Sequence, residues 1–283
     1  MANSEYASGI NLDAMMVPVK ANTVFAAHEA SLYLSGQIVP MVQVPAGSAS
    51  AQVPVMGSVS ATVVTAAGGE TDPGADFDTV LPSDTKKTIS LDLHAARAVV
   101  RDLGGVNTDE ISRILGNAIA KSADETVTKQ LGELTAQEIT SGNLDLDEIF
   151  AAIATIRGAG ETGQLFGIVS TDAYANLMTA IGNQAYAGGD FQTEALRNGF
   201  VGRIAGVNTF VSSYLNNTVM SGIVTNPKMA IFSQDAIRGA IQGGVNLEVE
   251  RRAAAVGFDV VASAAFGCDA IDASRGVIIK DSA

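Results

Sequence analysis

The sequence predicts an α+β fold: a mixed sheet flanked by helices, preceded by extended parts with no core of their own. Two observations predict it. Runs with two-residue apolar alternation and runs with three-and-four spacing follow one another along the second half of the chain. In addition, 47% of the 283 residues are hydrophobic and only 17% are charged, with positive mean hydropathy, so there is ample material for a core. No period of 20 to 50 residues is present, so a solenoid or propeller is not expected.

Residues 1–45 read as an arm of mixed polarity, broken by Pro18 and Pro40, with one short helical pattern at Phe25, Glu29, Leu32 and Tyr33. Residues 52–65 alternate like a strand, placing Val53, Val55, Val59, Ala61 and Val63 on one parity, and residues 88–93 form a second alternating run. Between them lies a polar, breaker-rich stretch containing Gly68, Gly69, Glu70, Asp72, Pro73, Gly74, Asp76, Asp78 and Pro82. A connection of this length inside a packed domain would argue against the strands, but it makes sense as a projecting hairpin ordered by a neighbouring copy.

The clearest helix follows. Asn107 or Thr108 is a suitable N-cap, Asp109 and Glu110 complement the positive end of the dipole, and the apolar stripe runs through Ile111, Ile114, Leu115, Ala118, Ile119, Ala123, Val127, Leu131 and Leu134. At 1.5 Å per residue it would extend ~36 Å, the length of a spine. A second helix begins at Asn143 or Asp145, carries Leu146, Ile149, Phe150, Ile153 and Ile156 on one face, and ends at Gly158 and Gly160. Leu165 to Ser170 then reads as a strand, and Thr171 or Asp172 caps a helix reaching Ile181. Strand-like segments follow at 207–214, 229–232, 245–250, 257–262 and 276–280, with a short helix expected over 234–241.

Composition excludes several functions. The single Cys268 cannot form an intrachain disulfide framework or a multi-cysteine zinc site, which suits a reducing compartment. No basic n-region with an apolar run opens the chain, and no stretch of about 18 uncharged apolar residues occurs, so neither secretion nor a membrane partner is expected. Without secretion the Asn216-Asn217-Thr218 sequon has no role. Thirty acidic residues against seventeen basic ones give a formal charge of −13, the reverse of a nucleic-acid-binding footprint. An acidic wall can still lie beside packaged nucleic acid and repel it.

Catalysis would need a nucleophile with a base, yet the histidines are His28 in the arm and His94 after the alternating strand. Cys268, set among Ala264, Ala265 and Phe266, reads as a small buried hydrophobe. Glu70, Asp72, Asp76 and Asp78 miss the EF-hand spacing and read as a solvated loop tip, and Gly104-Gly105, Gly188-Gly189 and Gly243-Gly244 read as turns. No catalytic residue, metal or cofactor is therefore expected. The candidates for contacts between subunits are Glu70, Asp72, Asp76, Asp78, Lys86, Lys87, Arg251 and Arg252. For Lys86 and Lys87 the simpler reading is protection of an edge strand, and for Arg251 and Arg252 a solvated face serves equally.

In their order these parts resemble the Hong Kong 97 type major capsid proteins of tailed bacteriophages. The local matches are Gly202-Arg203-Ile204-Ala205-Gly206-Val207-Asn208-Thr209-Phe210-Val211-Ser212-Ser213, Val245-Asn246-Leu247-Glu248-Val249-Glu250-Arg251-Arg252 and Arg275-Gly276-Val277-Ile278-Ile279-Lys280. Val53-Pro54-Val55 through Ser60-Ala61, followed by Gly69-Glu70, looks like the start of that family's extended loop. Each motif is degenerate; order and spacing across the whole chain give the resemblance its weight.

The resemblance implies an N-terminal arm over 1–45 and an extended loop over 46–93. A peripheral domain would span 94–160, with its spine helix at 108–134, and an axial domain 161–235. Return strands over 236–283 would rejoin both, with 236–262 in the peripheral domain. It implies a structural protein, not an enzyme, that self-assembles into hexamers and pentamers of an icosahedral shell around double-stranded DNA. The head would be assembled in the host cytoplasm and found in the virion. The resemblance also implies separate scaffolding, portal and cement proteins. Some family members join subunits through a loop lysine and an asparagine; Lys86 and Lys87 lie near the returning strand, but no asparagine partner aligns. The rival readings are an encapsulin-like nanocompartment shell and, from another class, an acidic α/β enzyme.

Overall fold

The computed structural model describes Thr23 and residues 31–34, 36–54, 86–101, 108–139, 143–183, 200–252 and 257–281. Three sheets organise them. The first has four strands in the order β1-β10-β11-β4, with β1 Met41–Val44, β4 Asp92–Arg101, β10 Ile237–Arg252 and β11 Gly257–Ala270. The second has six, in the order β5-β12-β9-β6-β8-β7: β5 Thr135–Ile139, β6 Leu165–Ser170, β7 Phe200–Ile204, β8 Val207–Ser212, β9 Pro227–Ser233 and β12 Gly276–Asp281. A two-stranded ladder pairs β2 Ser50–Pro54 with β3 Lys86–Ser90, Ala51 facing Ile89.

The helices are α1 Thr108–Gln130, α2 Leu146–Gly158 and α3 Thr171–Asn183. On α1 the row Leu115, Ile119, Ala123 and Val127, continued by Leu131 in the turn beyond, keeps four-residue spacing and is buried along its whole length. Leu115, Ile119 and Ala123 pack with Val260, Ala262, Ala264 and Phe266 of β11, while Val127 and Leu131 join a different core with Phe166, Ile168, Phe232 and Ile278. One helix therefore belongs to two cores. Ile114 and Ala118, expected in the buried stripe, are exposed, because a single sheet covers the helix here and the Leu115 row fills that contact. The α-helix also stops at Gln130 rather than Leu134: Leu131–Glu133 tighten into a 3-10 turn that delivers the extended Leu134 to β5.

The six-stranded sheet is centred on β6, a continuous apolar run buried on both faces. It pairs parallel to β8 and antiparallel to β9. Helices α2 and α3 supply Leu146, Ile149, Ile156 and Leu177 to its core. At the start of α2 the Asp145 backbone N–H donates to Glu148 Oε2 at 3.2 Å, half of a capping box. Phe150, expected on the inner face of α2, points outward instead.

Two expectations are corrected. Residues 234–241 do not form a helix; a turn closed by Ala236 N–H to Ser233 O at 3.1 Å leads straight into β10, where Ile237 faces Ala270. The three-and-four spacing of so short a run does not exclude a strand, and β11 supplies the partner that decides it. Gly243 and Gly244 also do not end an element. They form an irregularity within β10, between Gln242 and Asn246, with Gly243 at φ +61°. Strands β1, β5 and β7, and the extension of residues 88–93 to Arg101, lie beyond what the sequence pattern alone indicated.

Candidate assembly surfaces

The end of the arm is fixed to α1. Ser31 Oγ donates to Asp124 Oδ1 at 2.6 Å and the Leu32 N–H donates to Oδ2 at 3.2 Å, while Ser31 Oγ accepts from the backbone of Leu34 at 3.0 Å. Burial holds the Asp124 carboxyl above the usual range against the opposing hydrogen bonds from Ser31, Leu32 and Tyr33. Beside it Tyr33 is fully buried in the core that also holds Val39 and Leu131. A groove of about 760 Å³ opens next to this anchor, lined by Gln37, Asp124, Phe166, Phe210, Tyr214 and Gln234. Both Asp124 oxygens already accept hydrogen bonds, so the groove holds no uncommitted carboxylate there.

The hairpin is fixed at its base. Ile89 is fully buried with Val44, Ala51 and Ala240. Lys87 Nζ donates to the Ala270 carbonyl at 2.8 Å, and Leu91 N–H donates to Ala49 O at 3.0 Å. Where β3 passes into β4 the backbone crosses β11 directly over Gly267, where the space for a side chain is taken by Ser90. Lys87 is thus tied within the subunit through its ammonium group, though it and Lys86 both stay exposed. The acidic residues Glu70, Asp72, Asp76 and Asp78 lie outside the described residues, as does His28.

The far end of the four-stranded sheet holds charged side chains. Arg251 lies 5.6 Å from the centroid of the Phe258 ring, which suits a cation–π contact across the β10–β11 pair, and Arg252 is the last residue of β10. Arg97 on β4 forms a two-pronged ion pair with Asp259 on β11. Sequence reasoning missed Arg275, which ties three segments together: it donates to Glu161 Oε2 at 3.1 Å, to Asp235 Oδ2 at 3.5 Å and, through Nε, to Asp272 Oδ2 at 3.0 Å. Burial would raise the Glu161 carboxyl, but hydrogen bonds from Gly163 and Ser233 and the Arg275 charge hold it below the usual range.

Several large apolar side chains face outward. Leu93 is 73% exposed, Phe150 53% and Ile114 52%, with Val99 close behind at 47%. Leu93, Arg97 and Val99 share one face of β4 by strand alternation, opposite the face covered by α1. Apolar groups of this size beside an ion pair suit a surface that another molecule covers.

The groups considered for catalysis are held apart. Cys268 is buried, and burial with the neighbouring Asp269 charge pushes its thiol up, away from the reactive thiolate. His94 contacts Ser122 and Phe266, some way along the sheet, and neither His94 nor Ser122 lines the groove. Among the described residues no group of three His, Cys, Asp or Glu is placed to hold a metal ion, and no helix is long and apolar enough to cross a membrane.

No protein-family model and no curated protein matches the chain. Solved structures do. The capsid of cyanophage P-SCSP1u superposes with a TM-score of 0.65 at 15% identity, over 90% of this chain and 89% of that one. This is the Hong Kong 97 capsid fold. A virus-like particle from Pyrococcus furiosus aligns with a TM-score of 0.62 at 13% identity, over 93% and 98% of the two chains. Mycobacterium phage Che8 aligns at 0.56 and 18%, over 92% and 89%. At identities this low the likeness is one of fold.

Proposed function

We propose that this chain is the shell-building subunit of a tailed-phage head, and that its work is surface geometry rather than catalysis. The observation that carries the proposal is an alignment spanning about nine tenths of both chains with a phage capsid protein, so no separate catalytic domain accounts for the match. In this reading copies form hexamers and pentamers of an icosahedral head around double-stranded DNA, and the net charge of −13 keeps the inner wall from trapping the polymer. Residues 1–45 serve as the arm and 46–93 as the extended loop. Residues 94–160 with 236–262 act as the peripheral domain, and 161–235 with the last strand as the axial domain. The loop acids, Lys86, Arg251 and Arg252 are the contacts offered to neighbouring copies.

Anchored arm and hairpin bases leave their outer parts to bridge between copies, and many weak contacts made together close a shell while letting errors dissolve. Scaffolding, portal and cement proteins act beside the subunit, which assembles in the host cell and ends in the virion. Electron microscopy with analytical ultracentrifugation of the purified protein at near-physiological salt tests the proposal. Closed particles or sheets of rings are expected. Particles found in the producing cells with protein cargo and no DNA would favour an encapsulin-like compartment, and a stable monomer under all salt and scaffold conditions would overturn both.

A further inference from the structure

His94, on β4, faces α1 at Ser122, just past the middle of the helix. Its ring stacks on Phe266 of β11 with centroids 4.1 Å apart and planes 28° from parallel, and its Nδ1 lies 2.6 Å from Ser122 Oγ on α1. Ser122 is itself held in the helix, its carbonyl accepting from Thr126 Oγ1 at 3.0 Å. The other ring nitrogen, Nε2, is enclosed without a hydrogen-bond partner. This is an arrangement for a neutral imidazole, because one nitrogen suffices to meet Ser122 and burial disfavours the charged ring. Protonation makes both nitrogens donors, and the enclosed Nε2–H then finds no acceptor in hydrogen-bonding geometry, the Phe266 backbone favouring the charge only in part.

We propose that His94 is an acid-sensitive latch: protonation drives its ring out from between Phe266 and Ser122 and loosens the part of α1 around Ser122 from the sheet. Since α1 continues into the other core through Val127, and the turn after it through Leu131, loosening the part around Ser122 changes how the two sheets are held relative to each other. The inference stands on these contacts and is independent of whether the chain builds shells.

The charges around the ring leave the latch acid-sensitive. Burial lowers the pKa of His94, opposed in part by Asp92 on its own strand and by the Phe266 backbone. From α1 the ring meets the Ser122 hydroxyl; nearby Lys121 and Glu125 pair with each other at 3.8 Å, and Asp124 is engaged by Ser31. From β11 it meets Phe266, with Ala264 opposite it in register. Because the folded state holds His94 below its unfolded value, the latch is complete above about pH 6.5 and is lost as pH falls through the folded value. Asp124, raised by burial, has the opposite sign, and Glu161, held low, matters only in stronger acid.

Hydrogen–deuterium exchange of the full chain at pH 7.5 and 5.5, corrected for intrinsic rates, tests this. In the wild type, exchange in residues 112–126 and 92–99 is expected to rise about three- to tenfold at the lower pH, while Leu165–Ser170 stays unchanged. His94→Phe and His94→Gln are both expected to abolish the pH dependence, and either variant alone suffices if the other does not fold. A wild type indifferent to pH, an equal rise in Leu165–Ser170, or the same acid response in a folded variant would overturn the proposal.

Discussion

The backbone carbonyl of Ser90 occupies the space into which a side chain on Gly267 would project, so the hairpin crosses the four-stranded sheet at van der Waals contact with its backbone. Neither the oxygen nor the strand beneath it is a flexible side-chain end that could swing aside. Gly267→Ala should therefore destabilise the fold by about 1–3 kcal/mol, the range for forced overpacking. Chemical denaturation would measure it, and a loss of exchange protection centred on β2 and β3 would locate it.

Arg275 faces a buried Glu161 that also accepts from the Gly163 N–H at 2.7 Å and from the Ser233 hydroxyl at 3.2 Å. Replacing it by methionine keeps the bulk and removes the charge, leaving a carboxylate short of one partner. The expected cost near neutral pH is about 1–3 kcal/mol, below that of a fully buried pair because Arg275 is partly exposed.

The same cluster sets an acid limit. Burial acts to raise both Glu161 and Asp272, but hydrogen bonds and Arg275 hold them low, with Ser274 the larger influence on Asp272. Folded pKa values below the unfolded ones mean that their stabilisation is complete above about pH 4.5 and is lost as pH falls through the folded values. Denaturation midpoints measured from pH 6 to 3 should fall more steeply for the wild type than for Arg275→Met.

Ser31→Ala removes the hydroxyl that satisfies Asp124 while leaving the buried Tyr33 in place. We expect a loss of about 1 kcal/mol. Proteolysis at residues 31–38 should quicken more than elsewhere, since the arm end loses one of its two kinds of attachment.

Leu93→Asp and Phe150→Asp change side chains that touch mostly solvent within one subunit. Thermal stability should stay within about 0.5 kcal/mol of the wild type. The yield of closed particles, counted by electron microscopy, should fall if these surfaces meet neighbouring copies.

Much of the fold could be read from the residues because local pattern and tertiary role agree. The run Leu165–Ser170 is apolar throughout and lies at the middle of a sheet, and Asp145 caps a helix whose inner face keeps its spacing. Thr135–Ile139, by contrast, is half polar and becomes a strand only because Val277 and its neighbours pair with it. Residues 237–244 contain too many small residues to declare a period, and β11 settles their conformation. The anchors were hidden for another reason: Ser31 and Asp124 are 93 residues apart, and nothing in either neighbourhood names the other. Gly267 did carry a signal, a lone glycine inside an apolar strand, which marks close backbone approach. The outward turn of Phe150 and Ile114 shows the limit of periodicity, which finds an apolar face without telling how wide a neighbour covers it.

The strand β12 lies inside the six-stranded sheet, between β5 and β9, although it follows both in sequence. Until residues 276–281 leave the ribosome, β5 has no bridge to the rest of the sheet and β9 lacks a neighbour on one side. An unfinished chain therefore cannot display the finished surface, and pairing partners so distant in sequence makes closure a late event. In the proposed reading, in which copies of this chain meet one another, the order of synthesis thus acts as a timer that holds the assembling surface back until β12 is in place.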